Sequence, residues 1–206
     1  MLYWRDTYFQ SLSNIGAQTQ GVPEWVDYGA YCVDLERGLR RQALDALNRF
    51  ILRMEAAPFA ERKKFVSWLL HRADGRDGEH MLVPHPLRKR IVEPTCTEWI
   101  EREPKSSEPH RWLGFYDHLK LALQLNPNDE IAARKFINTI LGSTHYATHE
   151  LPYGYLGDPY EDMKVLDEAE AVLPALSNEG ERRHCATEIA ADRESIQAYL
   201  CAKMGQ

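Results

Sequence analysis

LALQLNPNDEIAARKFI, residues 121–137, decides the fold class. Apolar residues recur every three or four positions on both sides of Asn126-Pro127-Asn128-Asp129. That recurrence matches the helical period and not the alternation of a strand. The break between the two runs carries a proline, which cannot continue a helix, and side chains that favour turns. Upstream, Trp112, Phe115, Leu119, Ala122 and Leu123 give a helix over 111–125 one apolar face. Downstream, Ile131, Phe136, Ile137 and Ile140 do the same for 130–141. The stretch reads as helix, tight turn, helix.

The same period runs outward in both directions. Pro23-Glu24 opens a run with Trp25, Tyr28, Cys32, Leu35 and Leu39, which reads on through Leu44, Leu47, Phe50, Ile51 and Met54. Arg40 and Arg41 fall between those apolar positions. Pro58 ends the run, because a residue before proline is pushed out of the helical region. Phe59, Phe65, Val66, Leu69 and Leu70 form the apolar face of the next helix, and Arg62, Lys63 and Lys64 its wet one. GRDGEHMLVPHP, residues 75–86, is a loop by composition, and short helices are expected around 87–92 and 97–102. REPKSSEPH, residues 102–110, reads as a connection between helices within a single helical domain. Beyond residue 141 the irregular stretch STHYATHELPYGYLGDP stops at a clear helix start. Asp158 is a good N-cap, Pro159 suits the first helical position and Glu161 sits where a capping box places its acid. That helix carries Val165, Leu166, Ala169 and Leu173, and the last one, to about Lys203, carries Cys185, Ile189, Ile196 and Leu200. The expected fold is all-α: an antiparallel array of about seven to nine helices, stacked as hairpins.

The chain has 206 residues, 44% of them hydrophobic, enough for one sizeable core. Net charge is −6, which argues against general nucleic-acid binding. The charge is uneven. Residues 35–90 hold thirteen Lys/Arg against seven Asp/Glu, whereas residues 150–194 hold four against twelve. Most of these charges read as solvated helix faces. Taken together they also describe a basic region and an acidic one, and an acidic face suits a protein partner with a basic surface. Cys32, Cys96, Cys185 and Cys201 form no C-x-x-C pair and read as buried free thiols. The N-terminal MLYWRDTYFQSLSNIG has no long apolar core of a signal peptide, and no segment is apolar enough to span a membrane. The expected compartment is the cytoplasm.

The junction LALQLNPNDEIAARKFI resembles the boundary between two tetratricopeptide repeats. Ala122, Leu123, Leu125 and Pro127 match the end of a repeat, and Phe136 stands where the next helix presents its large apolar residue. Counting back, the family's tryptophan position falls on Trp99. Its glycine and tyrosine positions fall on Glu103 and Ser106, and Pro104 interrupts the segment. No second copy of the family's period of about 34 residues follows. The resemblance covers one helix-turn-helix. It implies stacked helical hairpins and a habit of binding other proteins.

Candidate chemistry is sparse. His145 and His149 lie one helical turn apart, a spacing that can place two imidazoles on zinc; Glu150 follows the second histidine, where it would point elsewhere on a helix, and the sequence assigns no third ligand. The zinc-protease motif needs a glutamate directly after the first histidine, and Tyr146 stands there instead. A metal-binding protein or metal-dependent hydrolase built on His145, His149 and Glu150 is therefore the alternative to a binding module. Asp74-Gly75-Arg76-Asp77-Gly78-Glu79 lacks the alternating carboxylates of a calcium loop and reads as a polar turn. Arg88-Lys89-Arg90 reads as a surface patch without the interleaved aromatics that stack bases. There is no G-x-S-x-G, P-loop or G-x-G-x-x-G, and no motif calls for a cofactor.

One segment stands out by residue type. Tyr146, Tyr153, Tyr155 and Tyr160 crowd a stretch shaped by Pro152, Gly154 and Gly157, followed at once by Glu161 and Asp162. Tyrosine offers a rigid apolar body with a polar tip and concentrates in interfaces. The same rings could instead staple the loop onto the core. The expectation is a non-enzymatic helical binding module that contacts its partner through Tyr146, Tyr153, Tyr155, Tyr160, Glu161 and Asp162. An immunity-type protein that covers the basic active site of a toxin is one form of it.

Overall fold

The computed structural model describes residues 6–76 and 78–204. The protein is all-α, and among the described residues nine helices have at least seven residues. Shorter helical turns come in addition. Sequential helices pack on one another, in two compact units, Met1–Pro104 and Lys105–Gln206. The boundary between the units falls inside REPKSSEPH. No helix among the described residues is long and apolar enough to cross a membrane.

The first unit holds α1 (Asp6–Thr19), α2 (Val26–Glu36), α3 (Arg40–Glu55), α4 (Phe59–Ala73) and the short α5 (Glu79–Leu82). The three-residue α6 (His85–Leu87) runs through a π-helical turn, Arg88–Val92, into α7 (Glu93–Arg102). Sequence periodicity predicts two short helices there; the chain instead makes one helical run. Pro94 has no N–H to continue the ladder, and the wider turn sits directly before it. Another expectation is corrected at residue 38. The run from Trp25 to Met54 is two helices, because Gly38 takes φ +75°, a left-handed conformation that ends a helix. Leu39 and Leu44, expected inward, are exposed. The core is aromatic: Trp25, Tyr28, Phe50 and Phe65 are buried and in ring contact, with Trp68 at the edge. Tyr28 donates its hydroxyl to the Leu82 carbonyl at 2.7 Å, and Tyr31 donates to that of Met81. Those bonds satisfy the hydroxyls that burial would otherwise strand.

The second unit holds α8 (Glu108–Leu113), α9 (Tyr116–Leu125), α10 (Glu130–Thr148), α11 (Pro159–Val172) and α12 (Glu179–Met204). The helix expected over 111–125 is broken. Gly114 at φ +74° ends α8, and Phe115, placed on the inner face by the sequence pattern, is 67% exposed. The turn at 126–129 is as expected. Asp129 caps α10 by accepting from Ala132 N at 3.1 Å, and it also accepts both bonds of Arg111 at 2.9 Å and one from Ser107. The core here is mainly aliphatic: Leu119, Ile137, Ile140, Leu166, Ile189 and Ile196 are buried, with Phe136 packed among them. Three cysteines are buried, but Cys201 is exposed near the end of α12, a further correction.

Candidate functional site

The tyrosine-rich segment lies in the second unit. Its first part is not a loop. α10 continues seven residues past the expected end at Leu141, through Thr148, so that His145 and Tyr146 are helical. The irregular connection is shorter than the sequence suggests, residues 149–158. It folds back on the helix it leaves. Tyr153 N and Gly154 N donate to the Glu150 carbonyl, and Leu156 N donates to the Ala147 carbonyl at 3.0 Å. Leu151-Pro152 is a cis peptide. At the far end Asp158 caps α11 as expected, accepting from Tyr160 N at 2.9 Å and Glu161 N at 3.4 Å.

The four tyrosines divide into two roles. Tyr155 turns inward. Its ring stacks on Tyr199 of α12 with centroids 5.4 Å apart, and its hydroxyl donates to Asp162 Oδ2 at 2.6 Å. Burial pushes the Tyr155 phenol far above its ordinary range, and the bond to Asp162 and the nearby carboxylates push the same way. The phenol therefore stays protonated, and remains a donor, at every physiological pH. Tyr146, Tyr153 and Tyr160 face solvent, at 67%, 95% and 59% exposure, and Leu156 between them is exposed as well. Tyr146 lies against the ring of His149. Glu161 is exposed and pairs with Lys164 at 2.6 Å. Of the six residues expected to meet a partner, Tyr155 and Asp162 anchor the connection. Tyr146, Tyr153, Tyr160 and Glu161 stay on its surface.

The candidate metal ligands do not converge. His145 Nε2 faces α12, 3.2 Å from Asp192 Oδ1 and 3.6 Å from Glu188 Oε2. His149 ends the helix, with Nδ1 2.5 Å from the Tyr146 carbonyl and Nε2 3.0 Å from Glu150 Oε1. The one-turn spacing is real, yet each imidazole is engaged by a different carboxylate. Among the described residues no group of three or more His, Cys, Asp and Glu side chains could hold a metal ion.

Asp192 is the residue that sequence reasoning missed. It is buried, accepts a hydrogen bond from Thr144, and is pushed up by burial, against the pull of that bond and of His145. Glu188 stands one turn before it on α12 and adds to the upward push. The only sequence signal is the i,i+4 spacing of Glu188 and Asp192 on the face that also carries Cys185, Ile189 and Ile196. Together Thr144–Asp192 and Tyr155–Tyr199 tie α10 and the connection onto α12.

The acidity of this unit is partly spent internally. Glu168 takes Lys120 and the Tyr116 hydroxyl, and Arg193 bridges Asp167 and Glu170. Glu150, Asp158 and Glu161 remain exposed around the tyrosines. No protein-family model, curated protein or solved structure matches this chain.

Proposed function

We propose that this chain is a non-enzymatic helical protein-binding module, and that it meets a partner with a basic surface through the α10–α11 connection. One observation carries the reading. Tyr146 near the end of α10, Tyr153 on the connection and Tyr160 at the start of α11 expose their rings around a connection that is fixed from beneath by Tyr155, beside the carboxylates of Glu150, Asp158 and Glu161. Fixed aromatic rings give contact area at low entropic cost, because little freedom is left to lose on binding. A carboxylate rim favours a cationic partner and penalises an anionic one. The stacked sequential helices and the tetratricopeptide-like junction at Pro127 support the same class. A toxin whose active site is basic is one partner that this surface would suit, and the protein would then act by covering that site.

The test is affinity capture from the source cell at low salt, with the wild-type chain and a Tyr146→Ala/Tyr153→Ala/Tyr160→Ala variant side by side. The reading expects a partner retained by the wild type, lost by the variant and weakened as salt rises. Equal capture by both chains would move the interface elsewhere. Failure of the wild type to retain any partner would count against the binding-module reading itself.

A further inference from the structure

The cluster Arg88-Lys89-Arg90 is not one patch. Lys89 pairs with Glu93 at 2.9 Å, one helical turn on. Arg90 makes two bonds of 2.7 Å to the Glu55 carboxylate, which together hold that acid below its ordinary range. Arg88 makes the loosest pair of the three: among the described residues its acid is Glu79, whose Oε1 is 3.8 Å away, beyond a normal hydrogen bond. It borders an open cleft of about 680 Å³ in the first unit.

The other walls of that cleft are chemically consistent. Arg76 lines it and is exposed, with no carboxylate partner among the described residues. His80 and His85 line it too, and both are exposed; the His80 ring rests edge-on against Tyr8. Glu79 is the one acid among the described lining residues. The floor includes Gly78, buried at φ +83°, where a Cβ would stand 3.2 Å from the Tyr8 ring. The left-handed backbone and the Tyr8 ring packed against it both favour glycine at this position. Guanidinium groups never lose their charge at physiological pH, and their forked donors match the paired oxygens of phosphate and carboxylate. A concave wall concentrates the field of the charges along it. None of this is visible in the sequence, where Arg76 and Arg88 are separated by a loop rich in Gly and Pro.

We infer that the cleft between Arg76 and Arg88 binds a small oxyanion, a phosphate ester or a polycarboxylate, with the two guanidiniums as its forks and His80 and His85 as additional donors. The inference rests on residues other than those of the tyrosine connection and stands or falls independently of the proposed function.

Isothermal titration of the full chain at low ionic strength, with inorganic pyrophosphate and separately with citrate, tests it. Saturable binding of at least one probe at a single site is expected, and the stronger of the two identifies phosphate or carboxylate as the recognised group. The Arg76→Ala/Arg88→Ala variant should bind about tenfold more weakly or worse, the loss expected when charged hydrogen bonds are removed. Lys89→Ala should bind as the wild type does, because Lys89 is committed to Glu93. All four mutated or donor side chains other than Arg88 are exposed, so circular dichroism of the variants should match the wild type. No saturable binding of either probe would overturn the inference. So would a double variant that binds normally, or a Lys89→Ala loss equal to that of the double variant.

Discussion

The two units use tyrosine in opposite ways. In the first, Tyr28 and Tyr31 are buried in an aromatic cluster, and each hydroxyl finds a backbone carbonyl at the end of the short α5. In the second, the core is built mainly from Leu, Ile and Ala, and three tyrosines on or flanking one connection point outward. A ring can be buried only where its hydroxyl meets an acceptor, as Leu82 and Met81 provide. Tyr155 meets that condition through Asp162, and it is the one tyrosine of its segment that turns in. The exposure of Tyr146, Tyr153 and Tyr160 is therefore not explained by the needs of the fold. That difference is the reason to seek a partner there.

The contrast can be broken by mutation. Tyr28→Ala should cost about 3–5 kcal/mol, the range for removing a buried aromatic side chain. Tyr153→Ala should stay within about 0.5 kcal/mol, as exposed substitutions do. Urea denaturation of both variants measures this, and similar losses would refute the division of roles. The next largest effect is expected at Asp129, whose side chain is 1% exposed and holds Arg111. Asp129→Ala removes a helix cap and the carboxylate that takes two bonds from the largely buried Arg111 guanidinium, at a cost of about 3 kcal/mol.

Asp192 sharpens the comparison in a different way. Its burial disfavours the charged form, so the neutral Asp192→Asn keeps an acceptor for Thr144 and should lie within about 1 kcal/mol of the wild type at neutral pH. A large loss would mean that the negative charge facing His145 matters to the fold. The smallest effect expected is a pH dependence. His110 is buried, with its Nδ1 3.0 Å from that of His118. Burial, and then the charge of His118, push its imidazole below the ordinary value of 6.5. The unfolded chain thus takes up a proton that the folded chain resists. Stability from His110 is present above that ordinary value and falls as pH drops through it towards the lower folded value. Denaturation midpoints measured between about pH 8 and pH 5 should decline, and His110→Gln should flatten the decline.

The helical class was legible because amphipathic period and capping chemistry are local. Asp158 caps α11 where its sequence context places a cap, and the turn at Asn126-Pro127 falls where expected. The breaks at Gly38 and Gly114 were not legible. Each interrupts an apolar pattern that continues in phase, so periodicity alone reads through them. The length of α10 was hidden as well. Gly142, Ser143 and Thr144 look like loop residues, yet Thr144 is buried, with its hydroxyl 3.2 Å from the carbonyls of Ile140 and Leu141, and it reaches Asp192 across 48 residues of sequence. The partner of His145 and the neighbours of Arg88 depend on contacts between distant segments, and no spacing rule in one sequence carries that information.

The most direct test of the account is the affinity of the captured partner for two chains, the wild type and Tyr146→Ala/Tyr153→Ala/Tyr160→Ala. Surface plasmon resonance at low salt should show a loss of about a hundredfold, as expected for removal of aromatic contacts worth a few kcal/mol, with the melting temperature unchanged. Equal affinity of the two chains would contradict the claim that the exposed tyrosines form the binding surface.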